Sequence, residues 1–136
     1  MDVHNHLTRS YNMSKIRSKD TKPEIIVRKL CFKLGLRYRI NQPLLKIRPD
    51  LVFKKYKTVI FVNGCFWHSH KCKLGLVKPK TNASFWEEKR NKTKIRDYKN
   101  YRLLKENGWH SLVIWECELK QIEKVQLKLT KHFFSA

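Results

Sequence analysis

Two groups of residues in this 136-residue chain have the types and spacing that chemistry requires. The first is Arg48-Pro49-Asp50, which opens a pair of short β-rich runs, 50–53 and 58–62, joined by Lys54-Lys55-Tyr56-Lys57. A four-residue connection makes these runs a hairpin with Phe53 facing Thr58. Asp50 then stands opposite Phe61 and beside Val62, so a carboxylate meets the backbone of the facing strand at one rim of the sheet. Mg²⁺ takes hard oxygen ligands of this kind, with water and substrate phosphate completing an octahedron. An Asp that merely starts a strand after proline accounts for the tripeptide equally well.

The second group is His68-Ser69-His70-Lys71-Cys72, three ligand or base residues at alternate positions. His-x-Cys can supply two ligands to a tetrahedral zinc, which needs two more from elsewhere. Cys117 ends the last strand and Asp97 lies on the long helix before it, so both are candidates. Cys31 and Cys65 sit among apolar neighbours and read as core. No Cys-x-x-Cys pair occurs, and nothing favours the disulfide framework of a small secreted chain.

These groups must be held by a folded domain. A capping-box spacing at Thr21 and Glu24, with Pro23 in the first turn, predicts a helix over 22–34 that stops at Gly35. Leu36, Tyr38 and Ile40 alternate with Arg37 and Arg39 and predict a strand. After the hairpin, Asn63-Gly64 breaks the chain before the His/Cys segment. A helix is expected over 85–107, a strand over 110–117, and an amphipathic helix through Ile122, Leu129 and Phe133. The order α-β-β-β, loop, α-β-α implies a single α/β domain with a central mixed β-sheet flanked by helices.

The charge narrows the partner. The chain has 31 Lys or Arg against 11 Asp or Glu, a formal net charge of +20, which points to a polyanion. Residues 71–105 alone hold 12 Lys or Arg and three Asp or Glu, interleaved with Phe85, Trp86, Tyr98 and Tyr101. Such a stretch supplies salt-sensitive affinity for nucleic acid, although a solvated helix face has the same composition. The longest apolar runs, 59–62 and 112–115, are too short for a membrane span. The N-terminus lacks a signal peptide's apolar stretch, so an intracellular, cytoplasmic protein is expected. Phe66 and Trp67 are adjacent, and alternate side chains of an extended segment point oppositely. Either one packs inward or both project as a wedge between bases.

Together, Thr8-Arg9-Ser10 with Asn12-Met13, Arg48-Pro49-Asp50, Gly64-Cys65-Phe66-Trp67-His68 with His70 and Cys72, Phe85-Trp86 with Lys89, Arg96-Asp97 and Trp115-Glu116-Cys117 carry a resemblance. The sequence resembles the bacterial very-short-patch repair endonucleases, which nick DNA beside a T:G mismatch. The resemblance implies a restriction-endonuclease-like fold, a PD-(D/E)xK variant, formed by residues 1–136 as one nuclease domain with 1–20 as a DNA-contacting arm. It implies catalytic Mg²⁺ on Asp50 and the Val62 carbonyl, with Glu24 as a further candidate whose plain alternative is the capping box. It makes His68 the base or proton relay, and His70, Cys72, Asp97 and Cys117 the ligands of a structural Zn²⁺. Met13, Phe66 and Trp67 match the residues that enter the DNA.

The implied substrate is double-stranded DNA carrying T:G from deaminated 5-methylcytosine. The mismatch-repair machinery and a cytosine-5 methyltransferase are candidate partners of a monomer working at the bacterial nucleoid. Two rivals remain at this stage: a restriction or mobile-element nuclease of the same fold, and a zinc-stabilised DNA-binding protein without activity. Val62-Asn63 replaces the family's usual Thr-His, Thr93 stands where better-known members have Asn, and the superfamily's Glu-x-Lys is absent.

Overall fold

The computed structural model describes residues 21–66, 68, 70–72, 75, 76, 78 and 80–134. The arm 1–20 with Met13, and Trp67, lie outside the described residues. Helix α1 spans Lys22–Lys33, strand β1 Leu51–Phe53, strand β2 Thr58–Asn63, helix α2 Ala83–Glu106, strand β3 His110–Trp115 and helix α3 Ile122–Phe134. The strands form one sheet in the order β1-β2-β3, antiparallel between β1 and β2 and parallel between β2 and β3. Such a parallel pair needs a long crossover, and α2 is that crossover.

Central strand β2 is buried at every position except the half-buried Val62, as expected of a strand covered on both faces. Its alternate residues divide the core in two. Ile60 joins Leu51, Phe53 and Ile114 against Val27, Leu30 and Cys31 of α1 and Val125, Leu129 and Phe133 of α3. Val59 and Phe61 join Val52 and Ile47 against Leu104 and Tyr101 of α2. Helices therefore pack on both faces of a mixed sheet, the α/β arrangement that the element order implies. Among the described residues, no helix is long and apolar enough to cross a membrane.

Three local expectations need correction. Residues 36–40 do not form a strand; they contribute one bridge, Arg39 to Val52. Gly35, at φ +80°, turns the chain, and Leu36 then fills the core as a single buried side chain. Beyond it, Leu44 and Ile47 exchange two backbone hydrogen bonds of 2.8 Å around Leu45 and Lys46, both at positive φ. That tight reverse turn delivers the chain to Pro49 and Asp50. Secondly, β3 ends at Trp115, and Cys117 lies in a 3₁₀ turn over Glu116–Lys120. The Trp115 N–H donates to Glu118 Oε1 at 2.9 Å, which holds the turn. Thirdly, Thr21 makes no side-chain cap on α1, so the capping box is not formed. Glu24 instead faces inward.

Candidate active site and metal cluster

The hairpin register pairs Leu51 with Ile60 and Phe53 with Thr58, which puts Asp50 opposite Phe61 at the strand end. Its N–H donates to the Ile60 carbonyl at 3.1 Å. Its Oδ2 accepts the Val62 N–H at 2.6 Å, a short bond that anchors the carboxyl at the end of β2. Glu24, only 6% exposed, reaches the same place from α1 and is paired with Arg28 Nη2 at 3.3 Å. Burial pushes the Asp50 carboxyl up to about 6, opposed by the Val62 N–H and raised further by Glu24. Bringing the Asp50 carboxylate beside Glu24 costs free energy that a bound cation would offset.

Both carboxylates line a cavity of about 420 Å³ with Val62, Lys46, Arg48, Asn63, His68, Arg96, Asp97 and Asn100. Its oxygen donors suit a hard divalent cation, and its basic rim suits the phosphate that would complete the coordination. Asn63 is turned toward α2, where its Nδ2 donates to Tyr101 Oη at 3.0 Å. Burial raises the Tyr101 phenol to about 12, so it stays protonated at neutral pH.

His68 lies in the turn after Gly64, whose carbonyl accepts the His68 N–H at 3.2 Å. Its Nδ1 is hydrogen-bonded to Asp97 Oδ2 on α2. The carboxylate fixes the ring's orientation and makes Nδ1 the protonated nitrogen, so Nε2 is the nitrogen left for a proton transfer. Asp97 is thus brought to His68 and not to the zinc candidates.

Those candidates gain a different fourth member. Ligand atoms of Cys65, His70, Cys72 and Cys117 all lie within 4.8 Å of one another. Cys65, read as core from its apolar neighbours, takes the position expected for Asp97. The geometry fits a tetrahedral Cys₃His site, in which ~2.3 Å metal–sulfur bonds put sulfur atoms roughly 3.8 Å apart. Cys117 Sγ is 3.5 Å from His70 Nδ1. Backbone N–H groups already face two of the sulfurs: Cys117 N–H donates to Cys65 Sγ and Gly75 N–H to Cys72 Sγ, each at 3.4 Å. Such donors stabilise metal-bound thiolates. Burial pushes the Cys65 thiol up to about 12 and raises Cys117 as well, so without a cation these thiols keep their protons. The His70 ring stacks on Trp115, centroids 4.1 Å apart. Gly75 is pressed against the His70 backbone so closely that a Cβ there would come within 1.8 Å of the carbonyl oxygen.

The profile described as DNA mismatch endonuclease Vsr matches residues 1–74. The chain is 49% identical to the Type II nicking enzyme V.NmeAIP of Neisseria meningitidis over 119 residues, covering 88% of this chain and 84% of the relative. It is 44% identical to the DNA mismatch endonuclease Vsr of Escherichia coli over 124 residues, covering 91% and 79%.

The chain belongs to the Vsr endonuclease family.

It is accordingly a DNA endonuclease. Among solved structures, the catalytic domain of a homing endonuclease superposes with a TM-score of 0.59 at 21% identity, covering 84% of this chain and 95% of the other. That likeness shows a fold shared with the homing-endonuclease domain, consistent with the expected restriction-endonuclease-like α/β architecture. Within it, Lys46, Arg96 and Asn100 line the cavity beside Asp50, a role that reading the residues singly did not assign. Arg96 stands next to Asp97 in the sequence, and that adjacency was the available signal.

Proposed function

We propose that this Vsr-family chain is a Mg²⁺-dependent nicking enzyme that cuts one strand beside a T:G mismatch, in the repair of deaminated 5-methylcytosine. The observation that carries the reading is that Asp50 and the His68–Asp97 pair open onto one cavity. Asp50, the Val62 carbonyl and Glu24 would hold the cation. When bound, Mg²⁺ supplies charge neutralisation at the phosphate and a more acidic water.

The side chains do the rest. Lys46 and Arg96 orient the scissile phosphate at the cavity rim. His68, aligned by Asp97, takes a proton from the attacking water through Nε2 as that water's oxygen bonds to phosphorus. The bond to the leaving oxygen breaks, and that oxygen takes up a proton from solvent. Cys65, His70, Cys72 and Cys117 would hold structural Zn²⁺ and so fix the loop that carries His68. Phe66, with Trp67 and Met13, would enter the stack at the mismatch. Unstacking a step costs about a few kcal/mol and least where pairing is weak, so insertion tests for the wobble pair.

The deciding experiment is cleavage of a panel of end-labelled duplexes carrying each mismatch, with and without Mg²⁺. The expected result is nicking of the T:G duplex only with the cation, abolished by Asp50→Ala and His68→Ala while DNA binding persists. Equal nicking of matched and T:G duplexes overturns the substrate assignment.

A further inference from the structure

Trp86 and Arg90 stand one turn apart on α2 and therefore share a face. Phe66 packs against both. Its ring meets Trp86 edge-on, centroids 6.0 Å apart, and the Arg90 guanidinium carbon lies 4.5 Å from its centroid. The same guanidinium binds main chain on two sides. Its Nε donates to the Phe66 carbonyl at 2.7 Å, and its Nη2 donates to the Gly75 carbonyl. Gly75 in turn gives its N–H to Cys72 of the metal cluster. One planar fork thus ties together the ring of Phe66, its backbone and the loop that carries the cluster.

A basic residue on a DNA-binding helix ordinarily contacts phosphate, which adds affinity without discrimination. Arg90 is arranged for something else. Two of its donors are committed to carbonyls of different segments, and its cationic plane lies on an aromatic face, a geometry that lysine cannot reproduce. A ring that must enter a base stack loses part of its insertion free energy if loop and rotamer are ordered only on binding, so holding it beforehand sharpens selectivity.

We infer that Arg90 is a positioning residue for mismatch recognition, presetting Phe66 and coupling it through Gly75 to the metal loop. The inference rests on the reading of Phe66 as an inserted residue. Because the fork spans Phe66 and the cluster, this recognition element is built on α2 as well as on the loop.

The test compares the holoprotein with Arg90→Met, Arg90→Lys, Phe66→Ala and the double variant Arg90→Met/Phe66→Ala. Zinc content and Tm are checked first, and affinity for T:G and matched duplexes is then measured across a salt series. Arg90→Met is expected to lower the T:G-to-matched affinity ratio about fivefold, as a lost cation–π and hydrogen-bonded anchor does. Its matched-duplex affinity and salt slope should stay at wild-type values. Arg90→Lys should fall between, and the double variant should be no worse than Phe66→Ala alone.

A phosphate contact predicts otherwise: equal loss on both duplexes and a salt slope smaller by about one. That result, or additive effects in the double variant, overturns the inference. If Phe66→Ala removes the mismatch preference and Arg90→Met does not, only the Arg90 assignment fails. If Phe66→Ala itself leaves the preference intact, the insertion reading fails and the inference falls with it. Should Arg90→Met lose its metal, Arg90→Lys decides, because a wild-type ratio there counts against the fork.

Discussion

Asp97 on helix α2 holds Nδ1 of His68, so the two residues form one unit although they are 29 positions apart. The crossover helix thereby aligns a side chain that belongs to the loop after β2. Asp97→Asn keeps the shape and removes the charge that fixes the tautomer. The nicking rate should fall about 10²-fold or more, while bound metal and Tm stay near wild type. Loss of a stoichiometric metal ion in Asp97→Asn, read by elemental analysis, would return Asp97 to the cluster.

Cys65 and Cys31 are both fully buried, and only the first belongs to the four-residue cluster. Cys65→Ala should release the ion and lower Tm sharply, because a structural metal contributes folding free energy directly. Cys31→Ala should cost only about 1 kcal/mol of packing and keep the ion. Gly75→Ala should resemble Cys65→Ala, since its Cβ would collide with the His70 carbonyl. Equal metal content in all three proteins would show that the cluster holds no ion.

Asp50 costs the metal-free protein stability. Its carboxyl is raised in the folded state to about 6 from the usual 3.8, chiefly by burial. A raised folded value means that stability is fully present below pH ~4 and is lost as pH climbs through about 6. Asp50→Asn can still accept the Val62 N–H and should flatten that fall, raising the Tm of the metal-free protein at pH 7 by several degrees while abolishing nicking. Parallel melting profiles of the two proteins from pH 4 to 7 would contradict this.

His132 on α3 reaches the start of the central strand, with Nε2 3.0 Å from Thr58 Oγ1. The hydroxyl donates to the Tyr56 carbonyl at 3.1 Å, so it accepts from His132. Burial, and then the neighbouring His110, lower the His132 value below 6.5. A depressed folded value means that the unfolded chain binds the proton first, so stability is lost as pH falls below about 6.5. His132→Gln retains a donor and should lose less Tm than wild type between pH 7 and 5.5. An identical acid loss in both proteins would assign the effect elsewhere.

The placement of Asp50 was legible because it follows from loop length alone. Four residues between Phe53 and Thr58 set the register, and the register sets Asp50 opposite Phe61 and next to Val62. Helix ends marked by Gly35 and Gly108 were legible for the same local reason. The exchange between Asp97 and Cys65 was not. It depends on how α2 lies across the sheet, which no local pattern encodes, and the apolar neighbours of Cys65 gave the opposite impression. The alternation at 36–40 also misled, because a single bridge to Val52 suffices there and the following turn takes the chain away. Glu24 shows the reverse difficulty: its spacing from Thr21 is that of a cap, yet its side chain is drawn inward to Arg28 and the cavity.

Cys65 follows β2 and Cys117 follows β3, and these neighbours in space are 52 positions apart. The β1–β2 hairpin can close early from local contacts, whereas β3 must wait for the whole α2 crossover before it pairs. A cation gripped by residues from both sides would act as a reversible staple, closing a loop whose chain-entropy cost is among the largest in the domain. Refolding in the presence of zinc should therefore be faster where β3 docks on β2, and chelation should loosen that docking.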